Sequence, residues 1–147
     1  MTTEHPARLA SQRSMAAVAA GDREGWLALF TDDATVEDPI GVSPLDPEGN
    51  GRLGKAEIAA FYDSVVAANP VSFEITSSFA AGNEVANVGV ITTSFPDGSK
   101  AIVDGVYTYR VNDDGQIVAL RAFWEFDAMR FESAQASFAH AEGDKGR

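Results

Sequence analysis

EVANVGVITTSFPDGSKAIVDGVYTYRVNDDGQIVALRAFWEF, residues 84–126, decides the fold. It holds three runs of strand-forming residues and two tight turns, Pro96-Asp97-Gly98 and Asp113-Asp114-Gly115. Asp-Gly between alternating apolar runs signals a hairpin, because such turns need residues that tolerate left-handed backbone angles. The spacing therefore predicts strands over 84–95, 100–111 and 116–126, joined as an antiparallel meander. Just upstream, Val71, Phe73 and Ile75 alternate with Ser72, Glu74 and Thr76 and predict one strand more.

Further toward the N-terminus the period changes. Residues 7–20 are Ala-rich and stop at Gly21, as a helix does. Asp22 can cap a second helix through Phe30, with Trp26, Leu27 and Phe30 on one side. A third helix is predicted over 55–68, where Ile58, Phe61, Tyr62, Val65 and Val66 fall at helical spacing. Between these two helices lies a short strand, 34–38, then the loop PIGVSPLDPEGNG. Helices followed by a meander mean α+β. About three N-terminal helices wrap a curved antiparallel sheet into a cone whose mouth is an apolar pocket. The expectation is a single domain over 1–147, with an ordered core of about 7–131 and loose ends at 1–6 and 133–147.

Composition narrows the function. The chain of 147 residues carries a net charge of −11, which opposes binding to nucleic acid or to an anionic membrane surface. It has no Cys, so thiolate nucleophiles, disulfides and the usual zinc sites are excluded. No apolar run has the length of a signal peptide or a membrane span, and a cytoplasmic location is expected. His5 and His140 both fall in the expected loose ends, which leaves a Ser-His-Asp triad without its base. No cluster of ligands suggests a metal and no motif suggests a cofactor. Chemistry, if any, falls to carboxylates, hydroxyls and Arg.

Alternation assigns the inward faces. Val118, Leu120, Ala122, Trp124 and Phe126 share one; Val103, Gly105, Tyr107, Tyr109 and Val111 share another. Asp104, Thr108, Arg110, Arg121 and Glu125 point away. Trp124 and Tyr107 thus face core or pocket, and a buried phenol needs a hydrogen-bond partner. In the short strand, Ala34, Val36 and Asp38 share a face, whereas Asp32 and Asp33 read as solvated turn residues. An Asp on an apolar face is expensive unless it is paired or functional. Two roles stand open for Asp38: chemistry in the pocket, or capping the turn Pro39-Ile40-Gly41 through its backbone N–H groups.

The run GDREGWLALFTDDATVEDPIG resembles the start of the bacterial ketosteroid (steroid Δ5-3-) isomerases, within the cone-shaped superfamily of nuclear transport factor 2 and the polyketide cyclases. The resemblance continues through GKAEIAAFYDS and YTYRVNDDGQIVALRAFW and covers roughly residues 8–127. It implies a general base at Asp38, an aromatic floor at Trp124, a supporting phenol at Tyr62, and a homodimer formed through the outer sheet face. Phe30 and Val36 are expected to line the ligand site as well. The family pairs its base with a Tyr and a protonated Asp that hold the developing oxyanion. Ser14 stands at the position of that Tyr, and Tyr107 at that of that Asp. The implied function is proton transfer on a 3-ketosteroid or related enone, with Tyr107 as principal oxyanion donor and Ser14 as a minor one. The alternative is a non-catalytic protein that binds a steroid or another small hydrophobic ligand. An epoxide hydrolase or cyclase would need an Asp–Arg–Asp or Asp–His constellation aimed inward, and Arg110 and Arg121 face outward by alternation.

Overall fold

The computed structural model describes residues 4–134. Three helices come first in the chain: α1 (Pro6–Ala20), α2 (Arg23–Leu27) and, after β1 (Phe30–Glu37) and β2 (Arg52–Leu53), α3 (Lys55–Phe61). α3 runs into a π-helical turn, Tyr62–Val66. The long strands follow: β3 (Val71–Ala81), β4 (Glu84–Ser94), β5 (Lys100–Val111) and β6 (Ile117–Phe123). A 3-10 turn (Phe126–Ala128) and β7 (Arg130–Glu132) complete the described chain. The fold is α+β, with a curved, unclosed sheet in the order β2-β1-β6-β5-β4-β3; β7 pairs with β5.

Local chemistry accounts for the helix ends. Gly21 adopts φ 69°, where a side chain would be strained, and its N–H and that of Asp22 return to Val18 and Ala17 carbonyls. Asp22 caps α2 by accepting from Gly25 N at 3.0 Å. His5, expected in a loose end, instead caps α1. Its Nδ1 accepts from Ala7 N at 3.1 Å, and its Nε2 donates to Gly82 O at 2.9 Å, pinning the helix start to the β3–β4 turn. His140 lies outside the described residues.

Five other expectations are corrected. The second helix stops at Leu27 rather than Phe30, because Leu29 O accepts from Ile117 N and Phe30 already pairs with Ile117 across the sheet. Asp32 and Asp33 are exposed, as expected, but they belong to a strand and not to a turn. The sheet is not wholly antiparallel: β1 and β6 run parallel, Val36 opposite Leu120. The last strand ends at Phe123, so Phe126 sits in the 3-10 turn and not on the inward face. The short strands β2 and β7 had no sequence signal. Residues 55–66 remain helical as expected, but the last turn widens from α to π and the helix stops short of Ala68.

The core lies between the helices and the concave side of the sheet. Phe30, Ile58, Ile117 and Ala34 are wholly buried there, with Val36, Trp26 and Val85 close behind. Burying side chains of this size stabilises the fold by about 1.5–3 kcal/mol each. Trp26 is central: Phe30 meets it edge-on, with ring centroids 4.8 Å apart, and Tyr62 lies tilted against it at 5.4 Å. Above this layer the packing opens.

Candidate active site

The open space is a cavity of about 170 Å³. Its helical wall is Met15 and Val18 of α1, Phe61 of α3, and Val65 and Val66 of the π-helical turn. Its sheet wall is Phe73, Ile91, Val103, Leu120 and Ala122. Alternation places these last side chains on one face of four neighbouring strands. The lining is mostly apolar, as suits a hydrophobic ligand. The polar groups on it are few: Asp38, Trp124, Tyr107, Tyr109, Ser14 and Thr93, with Trp26 behind.

Asp38 follows the last residue of β1. Its carboxylate accepts a hydrogen bond from Trp124 Nε1 at 2.7 Å. The turn-capping role is not what the backbone shows: Ile40 N donates to Ala122 O at 3.0 Å. Enclosure of the carboxyl group by the cavity wall pushes its pKa above the ordinary carboxylate range, and the indole N–H opposes that rise. Trp124, expected as an aromatic floor, lines the cavity and holds the carboxylate by this bond. Its ring lies tilted against Phe126, centroids 5.9 Å apart.

Tyr107 lines the cavity as expected, but its hydroxyl is engaged. It donates to Val103 O at 3.1 Å. The space beside Gly105 is filled too: a Cβ there would meet Phe123 O at 2.6 Å and the Tyr107 hydroxyl at 3.3 Å. Burial raises the Tyr107 pKa well above a free phenol's, with the Asp38 and Asp104 charges adding to it. Ser14 is 1% exposed. Its hydroxyl accepts from Trp26 Nε1 at 2.9 Å and lies 3.0 Å from the Tyr109 hydroxyl. Tyr109 and Trp26 were missed as site residues. Tyr109's signal was present in the alternation that found Tyr107, two residues away. Trp26 gave none, since its partner is set by helix packing.

Phe30, Val36 and Tyr62 do not reach the cavity wall. They lie in the layer beneath, where Trp26 stands between Phe30, Tyr62 and the open space. Arg110 and Arg121 point outward, and Arg121 pairs with Glu37 at 3.0 Å. Among the described residues no group of His, Asp and Glu could hold a metal ion, and no helix is long and apolar enough to cross a membrane.

Residues 11–120 match the SnoaL-like domain family. A steroid Δ-isomerase of Nocardioides simplex is 33% identical over 117 residues, which is 80% of this chain and 88% of that protein. The crystal structure of a Δ5-3-ketosteroid isomerase from a Mycobacterium species is 47% identical. It superposes with a TM-score of 0.83 over 87% of this chain and 99% of its own. The Mycobacterium tuberculosis protein RV0760c is 43% identical, with a TM-score of 0.85 over 90% of this chain and 100% of its own. That protein has also been solved in complex with estradiol-17β-hemisuccinate.

Proposed function

The chain belongs to the SnoaL-like family that includes the ketosteroid isomerases, and from that premise we propose that it moves a proton on a 3-ketosteroid or related enone, with Asp38 as the base. The observation that carries this reading is Asp38 itself, a carboxylate on an apolar wall, held by one indole N–H. Its raised pKa makes it a better proton acceptor than a solvated Asp, which is what abstraction next to a carbonyl demands. Asp38 takes the proton from the carbon between ketone and double bond. The electron pair moves into a dienolate. The same proton returns two carbons away, so the double bond ends conjugated with the ketone. Nothing is oxidised or lost, and the step needs no metal or cofactor.

Trp124 and the aliphatic wall would hold the steroid skeleton, and the curated and solved relatives support that class of ligand. Tyr107 serves as oxyanion donor only by releasing Val103 O, and Ser14 is committed to Trp26 and Tyr109. We place the protein in the cytoplasm and read it as a homodimer through its outer sheet face.

The test is enone absorbance on mixing with a 5-ene-3-ketosteroid. Wild type should turn it over, and Asp38→Asn should abolish turnover while steroid affinity and folding persist. Turnover by Asp38→Asn at the wild-type rate would refute the mechanism. Tight binding by wild type without turnover would make the chain a steroid-binding protein, with Asp38 as a hydrogen-bond partner for a ligand hydroxyl.

A further inference from the structure

One polar chain on the cavity wall has a direction built into it. The indole N–H of Trp26 can only donate, and it occupies one lone pair of the Ser14 hydroxyl. Ser14 and Tyr109 then share a single hydrogen bond at 3.0 Å, and two arrangements of protons are possible. If Tyr109 donates, the spare proton is the one on Ser14, which is 1% exposed and lies on the helical side of the cavity. If Ser14 donates, the spare proton is the one on Tyr109, a phenol and therefore the more acidic and stronger donor of the two. Tyr109 lines the cavity, so that proton is free to point at whatever occupies it.

We infer that Tyr109 is the hydrogen-bond donor to the carbonyl oxygen of the ligand, with Ser14 and Trp26 as positioning residues that aim its proton into the cavity. For its catalytic consequence this rests on the isomerase reading; for its consequence in binding it does not. Three further observations agree. First, Tyr107, the other phenol on the wall, already gives its proton to Val103 O. Second, burial holds the Tyr109 proton on well above the pKa of a free phenol, the Ser14 bond pulls the other way, and the Asp38 charge adds to the rise. The group is therefore a neutral donor throughout the working pH range. Third, a donated bond polarises the hydroxyl that receives it, so the Trp26–Ser14–Tyr109 order strengthens the last donor in the series. The Ser at position 14 does not itself need to reach the ligand. It orients a phenol that does.

The experiment reads the donor without needing turnover. A 4-ene-3-ketosteroid, the product-type enone, is bound to the protein and its ultraviolet band recorded. A hydrogen bond to the carbonyl moves that band to longer wavelength. Wild type should show the shift, Tyr109→Phe should lose it, and Ser14→Ala should show a smaller one. On a 5-ene-3-ketosteroid, Tyr109→Phe should lower kcat about 10²–10³-fold, with a lesser change in KM. Ser14→Ala should lower kcat by less. Circular dichroism and steroid affinity serve as checks on folding. A full shift in a folded Tyr109→Phe would overturn the inference, as would loss of the shift in Tyr107→Phe alone. If Tyr109→Phe does not fold, an undiminished shift in Ser14→Ala overturns it instead. A wild type that shifts the band but does not turn over substrate would refute the isomerase reading and leave the donor in place.

Discussion

As the proposed base, Asp38 sits under two opposed demands. A base must be ionised, and the wall around this carboxyl favours the neutral form. Trp124 moderates the conflict by donating to the carboxylate at 2.7 Å. Trp124→Phe keeps an aromatic ring on the wall and removes that donor. The Asp38 pKa should then rise further, and the acid limb of kcat/KM should move to higher pH while affinity for an apolar ligand changes little. An unmoved limb would show that the indole N–H does not tune the base. The same carboxyl affects stability. Its pKa is higher folded than unfolded, so the native state binds the proton more tightly. Stability falls as pH rises from the ordinary carboxylate range through the folded value, and stays lower above it. Asp38→Asn removes the ionisable group and leaves an acceptor for Trp124. It should melt higher than wild type at neutral pH, by ~2–4 °C for each kcal/mol recovered. That gain should disappear in acid, where wild-type Asp38 is protonated in both states.

At the scale of elements, β5 and β6 make the site and Gly105 sets how closely they approach. A methyl group there would press on Phe123 O, Trp124 Cβ and the Tyr107 hydroxyl. Gly105→Ala should therefore destabilise the fold by about 1–3 kcal/mol and weaken ligand binding as Trp124 shifts, both measurable by denaturant titration and steroid affinity. A variant of wild-type stability would mean that the wall yields at no cost. The hairpins around Asp97-Gly98 and Asp114-Gly115 could be read in the sequence because turn chemistry is local. The inward faces of β5 and β6 could be read because the pleat has period two. The parallel pairing of β1 with β6 could not, because it joins segments from opposite ends of the chain with no shared motif. It is also what displaced Phe30 from helix to strand. In the site, Asp38 was legible as an acid on an apolar face. The direction of the Tyr107 hydroxyl was not, since Val103 O becomes its partner only once the strand is twisted. The placing of Phe30, Val36 and Tyr62 beneath the cavity depended on Trp26, whose position comes from packing between helices.

For the whole molecule, the outer face of the sheet is uncovered among the described residues. Cross-strand register lines up Val88, Val106 and Phe123 in one apolar row. Phe79 stands nearby, 66% exposed, and Phe123 is 49% exposed. Such a patch suits an apolar partner surface, and a second copy of the chain presents one. Phe123→Asp should convert a dimer to a monomer in sedimentation velocity, with turnover per chain retained wherever the pocket is intact. A wild type that sediments as a monomer would remove the dimer reading. The parallel β1–β6 pair has one more consequence. It delivers Asp38 from just after β1, in the first third of the chain, and Trp124 from just after β6. On the ribosome, the carboxylate therefore emerges long before the indole that tunes it, and the cavity lacks a wall until β6 has left the exit tunnel. A ligand that needs this cavity meets only chains whose sheet has already closed.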